Sequence, residues 1–163
     1  MPPDVKIVHL VDVPETISIL VRWFIEEWEP YYGSSGPGDA QRDLTSCCNR
    51  ADIPLAIVAL DVNGNPVGTA ALKPHSLDSH RHLSPWLAAL LVERGQRRKG
   101  VASALIAAIE DEARRLGFDT LYSDTGSGST LLQRRSWQEL EVGIPTLREP
   151  ATLYCLELNP PRD

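Results

Sequence analysis

Seven consecutive apolar residues, Trp86 to Val92, run directly into the polar stretch Glu93-Arg-Gly-Gln-Arg-Arg-Lys-Gly100, and a helical periodicity starts immediately behind it. An unbroken apolar run of this kind reads as a strand covered on both faces. Val101, Leu105, Ala108, Ile109, Ala113 and Leu116 then recur at helical spacing, which predicts a helix over Val101–Leu116 with Gly117 as its stop. On the opposite face, Glu110 with Arg114 and Asp111 with Arg115 read as solvated pairs. A buried strand feeding a helix through a short loop restricts the fold to a mixed α/β sheet, with a ligand site beside that crossover. The loop itself has the chemistry of an anion site. The first turn of a helix presents unpaired amides and the positive end of the macrodipole. Gly100 lets a phosphate come close to the backbone, and Arg97, Arg98 and Lys99 add positive charge at the same end.

Elsewhere the elements follow from pattern and punctuation. Val5–Val11 reads as a first strand. Asp12, Pro14 and Glu15 look like a capping box opening a helix, whose apolar stripe is Ile17, Leu20, Val21, Phe24 and Trp28 and whose end is near Pro30. The Gly-, Ser- and Pro-rich stretch Tyr31–Ala40 reads as a loop, and Asp39–Asn49 as a short helix. Pro54–Asn65 and Pro66–Leu72 form a hairpin about the turn signal Asn63-Gly64-Asn65. His75–Ser84 is a polar loop. Thr120–Ser123 reads as a strand, Ser129–Arg135 as a short helix and Ala151–Leu158 as a last strand. Residues 138–144 receive no assignment.

With 163 residues, 42% hydrophobic and 23% charged, the chain suits one domain, 1–163, with a sizeable core. A formal net charge of -6 argues against a nucleic-acid partner and favours a cationic small molecule or peptide. Cys47, Cys48 and Cys155 are odd in number and two are adjacent, a poor disulfide framework that fits a reducing cytoplasm. No signal peptide or membrane span is visible, so no membrane role is expected.

Two phosphate-binding motifs fail. Gly95 and Gly100 have the gap of a nucleotide P-loop, but Val101-Ala102 follow where Lys and Ser or Thr are required. Gly126-Ser-Gly128 opens like a dinucleotide fingerprint, but Leu131 takes the third glycine's place. Arg97-x-x-Gly100-x-Ala102 instead resembles the (Gln/Arg)-x-x-Gly-x-(Gly/Ala) signature of the GNAT family of N-acetyltransferases, in the matching context of apolar strand, long helix, Leu116-Gly117-Phe118 and a further strand. Ser84-Pro-Trp-Leu-Ala88, Val67-Gly-Thr-Ala70 and the Trp23–Trp28 helix with its flexible loop resemble one bacterial subgroup.

The resemblance implies a mixed, mostly antiparallel sheet with a splayed central strand pair, flanked by helices. It implies acetyl-CoA as co-substrate, no metal, and direct acetyl transfer to a primary amine in a ternary complex. No residue looks like a covalent carrier. Carried over, Arg97, Arg98, Lys99, Gly100, Val101, Ala102 and Ser103 clamp the pyrophosphate. Leu90, Leu91 and Val92 run beside the pantetheine arm, with a backbone N–H as oxyanion donor. Glu27, Tyr31 and Tyr32 wall the acceptor site, with Glu26, Glu29 and Asp39 nearby. The chain departs from the family at two places. Leu132 stands where a tyrosine protonates the leaving thiolate, and Ser136 where a glycine is usual; Ser129, Thr130 and Tyr122 are the nearest substitutes, with Ser129 taken as the acid. The preceding strand also has no carboxylate, so a base is sought in the loop of His75, Asp78, His80 and His82, with His75 taken first. The spacing of that cluster fits no common metal-ligand pattern. A non-catalytic acyl-CoA-binding sensor or interaction module is the alternative reading, motivated by Leu132, and a nucleotide-binding protein is a third. A monomer or a homodimer fits equally.

Overall fold

The computed structural model describes residues 4–97, 100–126, 129–146 and 149–158. Seven strands, β1 (Lys6–His9), β2 (Leu55–Leu60), β3 (Pro66–Lys73), β4 (Trp86–Val92), β5 (Thr120–Thr125), β6 (Gln138–Ile144) and β7 (Ala151–Glu157), form one sheet in the order β1-β2-β3-β4-β5-β7-β6. Every neighbouring pair is antiparallel except β4–β5, which is parallel. The helices are α1 (Ile17–Glu27), α2 (Glu29–Tyr32), α3 (Ala40–Ser46), α4 (Val101–Arg115) and α5 (Thr130–Arg134). Among the described residues, none of them is long and apolar enough to cross a membrane.

Strand alternation sorts the core into two layers. Leu55, Ile57 and Ala59 on β2 face α4, against Leu105, Ile106 and Ile109, whereas Ala56 and Val58 face α1 and α3, against Leu20, Phe24 and Leu44. Helix α4 sits close to β3 because Gly68 lacks a side chain: a Cβ there would come within 2.9 Å of Leu105 Cδ1 and 3.1 Å of Val101 Cγ1. That close approach fixes where the N-terminus of α4 lies relative to β4. At its other end α4 stops at Gly117 (φ 88°), where Phe118 N–H donates to Ala113 O and Gly117 N–H to Arg114 O. These are the two bonds of a Schellman stop.

Several expectations need correction. The first strand ends at His9, because Leu10–Asp12 turn into a 3₁₀ helix. The capping box is not formed: Pro14–Thr16 is a separate 3₁₀ turn, Thr16 precedes α1 without a side-chain cap, and Asp12 pairs with Arg50 instead. Tyr31 and Tyr32 belong to the helical turn α2 rather than to a loop. Glu110, expected on a solvated face, is buried, as is its neighbour Glu112, and Asp111 pairs with Arg114 rather than Arg115. Glu110 accepts hydrogen bonds from Arg135 and Trp137, and Glu112 from His9 and Arg115. The unassigned residues 138–144 form β6. Their side chains are exposed as far as Gly143, so no apolar alternation marks them. Ser136, where the family has glycine, does adopt the left-handed backbone glycine favours (φ 71°).

Candidate active site

The site grows from three backbone irregularities around β4. The first is the end of the loop. Gly100 is left-handed (φ 84°) and supplies no side-chain cap to α4. The first bond of the helix runs from Ala104 N–H to Gly100 O, so the amides of Val101, Ala102 and Ser103 have no helical partner. No acidic residue lies in that first turn. A cradle of free amides without a resident carboxylate suits a pyrophosphate. Arg97 does not point into that cradle. Its Nε donates to Val92 O at 3.0 Å and its terminal nitrogen to Glu27 Oε2 at 3.4 Å, so it ties the loop to β4 and α1. Arg98 and Lys99 lie outside the described residues.

The second irregularity is a bulge. Thr69 pairs with Leu91 and Ala71 with Ala88, leaving both Ala89 and Leu90 opposite Ala70, with Ala89 at φ 53°. A bulge re-aims the backbone of its strand. The third is a parting of strands. β4 and β5 are paired only at Trp86–Tyr122 and Leu87–Ser123, and the Ser123 hydroxyl donates to Leu87 O at 2.9 Å as the last tie. Beyond it, no further β4–β5 pairing occurs among the described residues.

A cavity of about 730 Å³ opens in this wedge. Ile106, Leu131 and Leu132 line it on the α4 side of the sheet, and Trp28, Tyr32 and Asp43 on the α1–α3 side, so it passes through the sheet. Of the residues expected at the site, Glu27, Tyr31, Tyr32, His75, Leu90 and Ser129 line this cavity. Leu91 and Val92 instead face a smaller hollow of about 190 Å³ with Trp23, Glu26, Arg94 and Arg97. Asp78, His80 and His82 are not brought in: His80 bonds Glu141 and stacks on His82, and Asp78 pairs with Arg81. Tyr122 packs its ring against Trp86 in a separate core. Among the described residues, no group of His, Cys, Asp or Glu is arranged to hold a metal ion.

Lys73, Asp43, Asp124 and Glu149 also line the cavity and were missed by sequence reasoning. Asp124 sits one residue past the last β4–β5 rung, and Ser76 Oγ donates to its Oδ1 at 2.8 Å. Burial pushes its carboxyl above the usual range, against the lowering effect of the Ser76 bond. Tyr32 donates to Asp43 Oδ2 at 2.6 Å, and burial, reinforced by that carboxylate, raises its phenol. Ser129 caps α5, its Oγ accepting from Leu132 N–H, while its own N–H donates to Tyr154 Oη at 2.9 Å. Leu132 is buried between the core and the cavity.

The sequence matches the model of the acetyltransferase (GNAT) family over residues 17–134. The fold resembles the crystal structure of aminoglycoside 6'-acetyltransferase type Ii, with a TM-score of 0.73 at 19% identity over 96% of this chain and 99% of that one. An aminoglycoside 6'-N-acetyltransferase complexed with coenzyme A gives a TM-score of 0.73 at 17% identity, over 97% and 99%. The structure of yncA from Salmonella typhimurium with its cofactor acetyl-CoA gives 0.71 at 17% identity, over 96% and 95%. A comparison with curated proteins finds no match.

Proposed function

Because the chain belongs to the acetyltransferase (GNAT) family, whose enzymes take their acetyl group from acetyl-CoA, we propose that it acetylates a primary amine on a small molecule by direct attack in a ternary complex. The observation that supports this reading most is the cavity that crosses the sheet where β4 and β5 part. It gives two substrates separate approaches to one point. The free amides of Val101 to Ser103 hold the pyrophosphate, and the bulge at Ala89 and Leu90 presents a backbone N–H to the thioester carbonyl. The aminoglycoside enzymes among the structural neighbours act on amine-bearing small molecules.

In the step itself, the ammonium form of the acceptor first loses one proton. The neutral nitrogen forms a bond to the carbonyl carbon, the C–S bond breaks, and the nitrogen sheds a second proton while the thiolate gains one. Asp124, half-buried beside the wedge, accepts the amine's proton, and the exposed His75 at the cavity rim passes it to water. Ser129 donates to the thiolate, since its Oγ already accepts from Leu132 N–H and its hydroxyl hydrogen remains available.

Release of coenzyme A thiol measured against a panel of amines tests this reading. Turnover that saturates in both substrates is expected; coenzyme A binding without turnover on any amine points to the non-catalytic module. Ser129→Ala is expected to lower kcat on the order of 10²-fold, the low end for a general acid, with the KM for acetyl-CoA unchanged. Leu132→Tyr then restores a modest part of it.

Asp124→Asn has two expected effects of opposite sign. Activity falls on the order of 10²-fold with loss of the base. Stability at neutral pH rises, because the raised carboxyl favours the folded state only while protonated, below its ordinary range, and that contribution is lost as pH rises through the raised value. Thermal unfolding at pH 7 therefore shows a higher Tm for Asp124→Asn than for the parent, and the gap narrows toward pH 3. An unchanged gap across that range contradicts the raised Asp124 carboxyl.

A further inference from the structure

Three of the cavity's four carboxylates, other than Glu149, are already engaged, whereas its lysine makes no ion pair among the described residues. Glu27 accepts from Arg97, Asp43 from Tyr32 and Asp124 from Ser76. Lys73 ends β3, directly across from Trp86, and is half-buried where it lines the cavity. Among the described residues it makes no ion pair, although Asp43 lines the same wall. Its charge is felt by the Cys47 thiol, but burial holds that thiol above its usual range and protonated, so it supplies no counter-charge. A half-buried ammonium with no ion-pair partner can offer its charge to an anionic group of a ligand.

Strand register fixes what that ligand must span. Lys73, Trp86 and Tyr122 form one row across the sheet, and Asp124 follows Tyr122 by two positions, so all four lie on one face. Asp124 is therefore about 7 Å along the strands from the lysine's row, at about 3.3 Å per residue, and two strand spacings, about 10 Å, across the sheet from Lys73, a span that the long lysine side chain shares with the ligand. Resting on the acetyltransferase reading, we propose that the acceptor is an amino acid, whose carboxylate pairs with Lys73 while its amine is presented at Asp124. A polyamine, by contrast, would bring a second positive charge toward Lys73.

Matched pairs test this: free L-amino acids against their primary amides, which keep the side chain and lose the carboxylate charge, with rates referred to the concentration of neutral amine because the amide's amine is the less basic. The expected kcat/KM ratio of acid to amide is about 10- to 100-fold, the value of one charge-assisted hydrogen bond. That ratio collapses toward one in Lys73→Met and returns in Lys73→Arg. A parent ratio at or below one, or a ratio that Lys73→Met leaves intact, overturns the proposal. If coenzyme A binds but no amine is acetylated, the catalytic reading fails on its own. Calorimetry of the same pairs on the coenzyme A complex then decides: acid-selective binding lost in Lys73→Met upholds the proposal, and absence of selectivity overturns it.

Discussion

Gly100→Asp is expected to abolish coenzyme A binding without unfolding the protein. The amides of Val101 to Ser103, which have no helical partner, form the proposed cradle, and Gly100 is the residue that precedes them. Aspartate is among the best helix N-caps, and among non-glycine residues it tolerates the left-handed backbone comparatively well. Its carboxylate would fold over the same amides and occupy them from within the chain. The pyrophosphate would lose at least two amide hydrogen bonds to a charged group, each worth about 1.5–3 kcal/mol, and would face a like charge as well. A loss of affinity on the order of 10³-fold or more follows. Gly100→Ala, which strains the backbone but brings no charge, should fall between the two. Calorimetry on the folded variants checks this, and near-normal affinity in Gly100→Asp contradicts the assignment of the loop.

The second large effect is structural. Glu110, 3% exposed, accepts from Arg135 Nε at 2.8 Å and from its terminal nitrogen at 2.7 Å, with Trp137 Nε1 at 3.0 Å. Arg135→Met leaves a buried carboxylate with one donor. Breaking a buried pair from one side costs about 3–5 kcal/mol, which for a domain of this size lowers Tm by about 10 °C. Glu110→Gln in the same chain should recover most of the loss, since the uncompensated charge is gone. Thermal unfolding of the single and double variants measures both. Equal instability of the two would mean that the pair acts through packing rather than charge. The pair also holds the segment after α5 against α4, and α5 carries Ser129 and Leu132, so Arg135→Met should reduce turnover before it unfolds the chain.

What the sequence revealed follows from how local each signal is. The apolar run Trp86–Val92, the glycine at position 100 and the periodic helix behind it are contiguous, so the strand, loop and helix around β4 are legible from the sequence alone. The Asn63–Asn65 turn and the Gly117 stop are equally local. Strand β6 was missed because its residues are exposed up to Gly143 and lack the alternation that marks a half-buried strand. Glu110 was misplaced for the opposite reason: spacing along one helix pairs it with the local Arg114, whereas its partners Arg135 and Trp137 lie beyond α5. The acceptor side was least legible. Lys73, Asp43 and Asp124 come from three separate elements and meet only because the sheet order sets β3, β4 and β5 side by side while α3 covers one face. Of His75, Asp78, His80 and His82, chain folding brings one, His75, to the cavity. The signal for Asp124 was present, a carboxylate near the end of the strand that follows the long helix, but only the parting of the strands makes it a site residue.

In a crystal structure of the protein with coenzyme A, the pyrophosphate is expected against the amides of Val101, Ala102 and Ser103, and the pantetheine arm in the wedge beside Ala88 to Leu90, with the thiol near Ser129. Coenzyme A bound away from the N-terminus of α4, or the wedge between β4 and β5 closed in the complex, would contradict this placement.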